Sequence, residues 1–332
     1  MSRPDRPRVS VIVPCHDAAP WLPEALESAA AQTLAPDEII VIDDASADGS
    51  ARLARAWGEA VSIPVIVEQI VAHNAAAARN VGARRARGDW LAFLDADDRW
   101  YPQHLEHAWQ LLRDGTDEAF LARCDFMSAE GDMLPGGEEA PRSRGSGLTA
   151  HDYVRLVARH GWCFAHCTVL YAKRRFMEAG GYDPSQVRRH DIDLWLRLIA
   201  DSTWSYDDRV HATHRVETPG GISRKVTEAC WYSFRATLRN APRLPYPETQ
   251  RLVRWQAFKA INSAWTDGTR AERRRVTREA WPHLAPKWRL ALAPLRPWPI
   301  VYRLLNLVRR RLLGIRFRKE PASDASPRPT GR

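Results

Sequence analysis

Between residues 9 and 94 the chain alternates short β-branched runs with alanine-rich stretches of helical period, and this alternation restricts it to a layered α/β fold. VSVIVP (9–14), EIIVI (38–42), PVIVE (64–68) and WLAFL (90–94) read as strands. Residues 21–34, 51–60 and 75–86 read as the intervening helices, with Leu22, Leu26 and Ala29 at helical spacing. Strand–helix–strand units predict a mostly parallel central sheet flanked by helices. Three of the connecting loops carry acidic residues: Asp17 after the first strand, Asp43-Asp44 after the second, and Asp95-Ala96-Asp97-Asp98 after the fourth. In an open α/β sheet the ligand crevice lies beyond the carboxyl ends of the strands. The three acidic loops therefore converge on one edge. Carboxylates clustered after an apolar strand repel one another unless something cationic joins them.

The pattern changes after about residue 105. Residues 128–150 are a Gly/Pro/Ser/Glu-rich excursion, 169–171 resume a strand, and a helix leads to the turn EAGGYD. RRHDIDLWLRLIA follows, with Ile192, Trp195, Leu196 and Ile199 on one helical face. Residues 228–292 are helical and rich in Trp and Arg.

The formal net charge of +9 is unevenly placed: residues 271–332 hold 16 Arg/Lys against 4 Asp/Glu, whereas residues 1–270 hold 33 against 36. A polyanion-binding reading thus applies only to the C-terminal part. With no basic surface expected on the core, no nucleic acid is expected as a partner. The five cysteines are irregularly spaced and give no disulfide framework; Cys163 and Cys167 beside His160 and His166 are a weak zinc pattern. MSRPDRPRVS has no apolar signal region and no run of about 18 apolar residues follows, so a cytoplasmic protein is expected.

Four blocks, VSVIVPCHDAAPWLPEALESAAAQTLAPDEIIVIDDASADGS, AARNVGARRARGDWLAFLDADD, GGYD and HDIDLWLRL, taken in order, resemble the family 2 glycosyltransferases of GT-A fold over roughly residues 8–217. The resemblance implies an inverting enzyme that moves a sugar from a nucleotide-diphosphate donor, UDP-sugar favoured, to a hydroxyl of a glycan or lipid-linked acceptor. Asp95-Ala96-Asp97 matches the DxD motif. By the resemblance Asp97 ligates Mg²⁺ or Mn²⁺, and Asp95 faces the ribose or a metal-bound water; hard cations take carboxylate oxygens. Asp44 falls where the family binds the uracil imide, Pro14 and Asp17 line the nucleoside site, and His16, in place of a frequent Tyr, stacks on the base. Arg79 in the ARN block sets a permanent cation near base or phosphate. Asp191 in HDID matches the general base, with His190 where Glu is commoner, and Asp193 pairs with Arg197 or caps the helix. HNAAAARN lacks the glycines that often precede ARN, which restricts that loop. Gly180-Gly181 fit either a chain passing close to the sugar or a helix-terminating turn. VHATHRVETPGGIS keeps an Arg of the closing segment, so that His211 or Arg215 is expected to reach the diphosphate.

Four regions follow: a GT-A catalytic domain over 1–225, a helical extension over 226–293, a basic amphipathic helix over 294–319 and a disordered tail over 320–332. Residues 297–319 (PWPIVYRLLNLVRRRLLGIRFRK) put apolar residues on one broad face with arginines off it, suiting an anionic membrane interface or a helix packed on the domain. Rival readings are a nucleotidyltransferase, for which PCHDAAPW lacks a Gly/Lys phosphate loop, and a non-catalytic GT-A-like protein recruited to membrane.

Overall fold

The computed structural model describes residues 6–134, 145–160, 166–216 and 226–293. β1 (Val9–Cys15), α1 (Leu22–Ala30), β2 (Glu38–Asp44), α2 (Ser50–Ala60), β3 (Val65–Ile70), α3 (Ala75–Arg85) and β4 (Trp90–Phe93) build a parallel block in the spatial order β3-β2-β1-β4. β1, β2 and β4 are buried on both faces, which is why they read as continuous apolar runs, whereas the edge strand β3 is half-buried. Their side chains still alternate. Ile12, Ile40, Ile42, Leu91 and Phe93 enter one core with α3, and Val11, Val13, Ile39, Val41 and Ala92 enter the opposite core with α1 and α2.

Beyond β4 come β5 (Arg99–Trp100), α4 (His104–Leu112), β6 (Ala119–Met127), β7 (Met133–Leu134), β8 (Gly145–Leu148), α5 (Ala150–His160), β9 (Leu170–Ala172), α6 (Lys173–Glu178), α7 (His190–Ile199) and β10 (Trp204–Arg215). Here the sheet is mixed rather than parallel. β9 lies antiparallel between β4 and β6, while β10 runs parallel to β6 and antiparallel to β5 and β8. Four helices follow, α8 (Val226–Asn240), α9 (Pro247–Asp267), α10 (Arg270–Ala280) and α11 (Pro286–Leu292). They have a core of their own around Trp231, Phe234, Ile261 and Trp265, while Ala236, Leu244 and Leu252 join the core of the sheet. No helix among the described residues is long and apolar enough to cross a membrane. The basic segment 297–319 and Cys163 lie outside the described residues.

Two expected boundaries move. The first helix ends at Ala30 because Gln32 turns its amide to Ser28 and Tyr101 and accepts from the N–H of Leu105. Asp43 and Asp44 complete β2 rather than starting a loop, in register with Gln69 and Ile70 of β3. Gly82 lets α3 lie against β1: a Cβ there would stand 2.4 Å from Ile12 Cγ2.

Candidate functional site

The acidic edge is organised by cations that local sequence does not reveal. Arg79 lies on the buried side of α3, 5% exposed. Its guanidinium donates to Asp95 and, at 2.8 Å, to His190 Nε2. The acidic loop after β4 is thereby tied to the start of α7. Burial would lift the Asp95 carboxyl, but Arg79 outweighs it and holds the group far below the usual carboxylate range. Asp98 is 2% exposed and accepts from His214 Nδ1 at 2.9 Å and from the N–H of Arg215 at 2.9 Å. It does not cap the following helix, whose N-cap position is Gln103. Asp97, like Asp95, is half-buried; its carbonyl accepts from Arg215 Nε at 3.1 Å. The repulsion in the DADD run is thus relieved largely by Arg79 and His214. A divalent ion is not needed to explain Asp95 or Asp98.

The Asp98–His214 pair has a pH signature. Burial lowers the His214 pKa, but Asp98 overrides it and raises the value to about 9. A raised imidazole pKa stabilises the fold fully below the unfolded value near 6.5 and loses that contribution as pH climbs through about 9. In chelator, the stability gap between wild type and His214→Gln should be constant at pH 5.5–6.5 and close between about pH 7 and 10. Urea midpoints across that range test it, and a gap independent of pH refutes the pairing.

The second and third loops are held by carboxylates as well. Asp44 accepts three main-chain N–H groups, from Ala72 at 2.6 Å, His73 at 2.8 Å and Asn74 at 2.6 Å. Burial opposes ionisation, and these three bonds outweigh it, holding its pKa low. A carboxylate offers about four acceptor positions, so Asp44 is first an anchor for the 72–74 loop, with room for one further donor. His73 in that loop takes the left-handed conformation itself (φ 47°). Asn74 then caps α3 through Ala77 N–H. Asp43, fully buried, accepts from Gln69 of β3 at 3.1 Å. Asp17 (φ 48°) accepts from the N–H of Ala47 and donates its own N–H to Ser46 Oγ. Pro14 pairs with Ile42 at the end of β1. His16 is more than half exposed, donates from Nδ1 to the Asp44 carbonyl at 2.6 Å, and meets the His73 ring edge-on at 6.1 Å. Pro14, His16, Asp17 and Asp44 are therefore brought together at the ends of β1 and β2.

Asp191 occupies the first turn of α7, whose N-cap, Arg189, is left-handed at φ 55°. Such a residue costs about 1–2 kcal/mol. Six apolar side chains of α7, Ile192, Leu194, Trp195, Leu196, Leu198 and Ile199, are buried, each worth roughly 1.5–3 kcal/mol, so the helix stays seated. Asp193, fully buried, pairs with Arg197 at 2.9 Å and accepts from Asn240 of α8 at 3.0 Å. The Asp191 carboxyl is raised by burial, but His190, Arg189 and His166 pull it below its ordinary range, leaving it ionised. Gly180 and Gly181 end α6 with N–H bonds to Met177 and Phe176. A Cβ on Gly181 would stand 2.5 Å from Asn80 Oδ1, the atom that accepts the N–H of Tyr182. The two glycines serve a helix end that docks on α3.

His166 and Tyr182 join this pocket without having been singled out as site residues. Their side chains hydrogen-bond through His166 Nε2 and the phenol, and the Tyr182 ring lies 5.3 Å from that of His190. Burial and then Arg79 push the His166 and His190 pKa values down to about 3 and about 4, so both imidazoles are neutral near pH 7. Tyr182 stands inside the GGYD block, and that was the available signal; His166 had only its nearness to cysteines. His211 is a correction. It is 2% exposed and packs against His104 and Phe120 of α4 and β6, away from the acidic loops. Arg215 is buried under the Asp95–Asp98 loop, where it donates to Glu24 at 2.7 Å and to the carbonyls of Asp97, Ser128 and Ala129.

Comparison with known proteins bears on the family and the fold. Residues 10–165 match the model of glycosyl transferase family 2. Residues 10–165 are a family 2 glycosyltransferase domain. The chain is 27% identical to an uncharacterized glycosyltransferase of Rickettsia typhi, over 69% of this chain and 71% of the relative. It is 26% identical to TuaG of Bacillus subtilis, a putative teichuronic acid biosynthesis glycosyltransferase, over 69% of this chain and 88% of the relative. Residues 1–349 of TarS from S. aureus, in complex with UDP-GlcNAc, superpose with a TM-score of 0.67 at 14% identity, covering 95% of each chain. The mannosyltransferase PcManGT of Pyrobaculum calidifontis, in complex with GDP-Man and Mn²⁺, superposes with a TM-score of 0.56 at 18% identity, covering 91% of this chain and 87% of that one. These likenesses establish the GT-A fold of this glycosyltransferase, with its helical C-terminal part.

Proposed function

We propose that this glycosyltransferase inverts the sugar carbon of a UDP-sugar while transferring it to a hydroxyl of a glycan or lipid-linked acceptor, with Asp191 as general base. One observation carries the reading: Arg79 joins Asp95 of the DxD loop to His190, the neighbour of Asp191, so donor loop and base share one pocket. Asp191, ionised and set in the first turn of a rigidly packed helix, accepts the acceptor's hydroxyl proton as its oxygen attacks. Neutral His190 and His166 beside it leave its charge uncompensated by a second proton. His16 and His73 offer ring edges for the base, and Asp44 keeps one acceptor position for an imide N–H. Asp97, half-buried, is a hard oxygen donor suited to Mg²⁺ or Mn²⁺. A bound divalent ion supplies charge neutralisation for the departing diphosphate. Complexes of structural neighbours with UDP-GlcNAc and with GDP-Man and Mn²⁺ support the donor class, and the putative role of TuaG supports a glycan acceptor.

The basic, amphipathic sequence of residues 297–319 supports placing the enzyme on the inner, anionic face of a membrane.

Calorimetric titration with UDP, GDP and dTDP, each with and without Mn²⁺, tests the donor site. The expected result is UDP binding that requires the metal and weakens at least about 10-fold in Asp97→Ala. Binding of GDP alone replaces the base assignment, and no binding at millimolar nucleotide removes the donor site.

A further inference from the structure

A second cluster of ligating side chains lies outside the donor and acceptor pocket. One nitrogen each of His107 and His211 and one oxygen of Asp207 come within 4.8 Å of one another, joining α4 to β10. Asp207 is fully buried and His211 is 2% exposed. Their facing atoms, Asp207 Oδ2 and His211 Nε2, stand 3.2 Å apart, an ion-pair distance. Two ligands about 2.0–2.2 Å from one tetrahedral zinc stand roughly 3.3–3.5 Å apart, so a small opening of this pair would give the spacing of neighbouring ligands. His211 Nδ1 is 3.1 Å from Nδ1 of the buried His104. Once Nε2 carries a metal, Nδ1 holds the ring proton and donates it to His104, the outer hydrogen bond that orients metal-bound histidines.

His107 is set up in the same sense. Arg209 Nη1 donates to its Nε2 at 3.0 Å, so that nitrogen presents a lone pair. Arg209 also donates from Nε to both oxygens of Asp207, at 3.0 and 2.9 Å. The guanidinium is thus the cation of the cluster, and its side chain is 39% exposed, so that a competing cation on Asp207 and His107 would release it to solvent. A backbone irregularity between Asp207 and Val210, where β10 slips against β6, turns these side chains toward α4.

We propose that His107, Asp207 and His211 bind a zinc ion that displaces Arg209 and fastens α4 to β10, the strand whose end holds Asp98. Two imidazoles and one carboxylate are a borderline-soft set that suits zinc, with a fourth position for water. The site is separate from Asp97 and does not depend on the donor assignment.

The test uses tag-free, full-length, metal-stripped protein carrying Asp97→Ala, which removes the donor-site ligand. Zinc is titrated against a chromophoric chelator, and thermal unfolding is followed with and without it. One equivalent should bind and raise Tm. His107→Ala, a change at a half-buried helix position, should weaken binding roughly 100-fold or more and abolish the Tm rise. Arg209→Ala should bind tighter than its parent, because the competing cation is gone, and zinc should restore the stability that this substitution removes. Absence of binding at about 100 µM zinc, equal affinity in His107→Ala, or weaker binding in Arg209→Ala each overturns the site.

Discussion

Replacing Arg79 by Met should destabilise the protein by about 3–5 kcal/mol and abolish nucleotide binding. Arg79 is 5% exposed and is the cation shared by Asp95 and His190. Removing one partner of a buried ion pair strands the other charge in a poor solvent, and that penalty exceeds any loss of packing. Met keeps most of the side-chain volume, so little of the effect comes from a cavity. Chemical denaturation of Arg79→Met, Asp95→Asn and the double variant forms a cycle. The double variant should recover much of the loss, since no unpaired carboxylate remains. Lys at position 79 should recover only part, because one ammonium cannot reproduce the planar fork that reaches two acceptors. A change under about 0.5 kcal/mol in Arg79→Met, the range of ordinary surface substitutions, would show that the pair is not a structural link.

The second large effect is kinetic. Asp191→Asn should lower kcat by about 10²–10⁴-fold while leaving nucleotide affinity and Tm nearly unchanged. The side chain lies in the first turn of the helix, which is seated by six apolar residues rather than by Asp191. Asn preserves shape and removes the proton acceptor. The folded-state pKa is depressed by His190, Arg189 and His166 against the effect of burial. The base-side limb of kcat/KM should therefore fall at a pH below the usual carboxylate range, and activity should stay flat through pH 5–7 on that account. Retained turnover in Asp191→Asn, or equal losses of turnover and nucleotide binding, would place the base elsewhere.

Much of this molecule was legible before any coordinates, for identifiable reasons. The parallel block was readable because three of its strands are buried on both faces and its helices supply the crossovers, so apolar runs and helical periods mark both. The site blocks were readable because their chemistry is local: DADD, ARN, GGYD and HDID are short segments whose residue types already narrow what they can do. Asp193 pairing with Arg197 followed from spacing along one helix. His211 was misplaced because a strand position does not say which face a side chain takes once the strand slips, and the slip between Asp207 and Val210 sends it to α4. The antiparallel β9 was hidden for a similar reason, since a three-residue strand has too few positions to signal direction.

By itself, the sequence determined the α/β layering, the GT-A family and the set of acidic loops that meet at one sheet edge, because those depend on periodicity and on motifs a few residues long. Only the tertiary structure decided how the acids are made tolerable. Arg79 reaches Asp95 across 16 residues, His214 reaches Asp98 across 116, and Arg79 reaches His190 across 111. Partners so far apart in the chain are selected by sheet order and helix packing, and no local pattern encodes either.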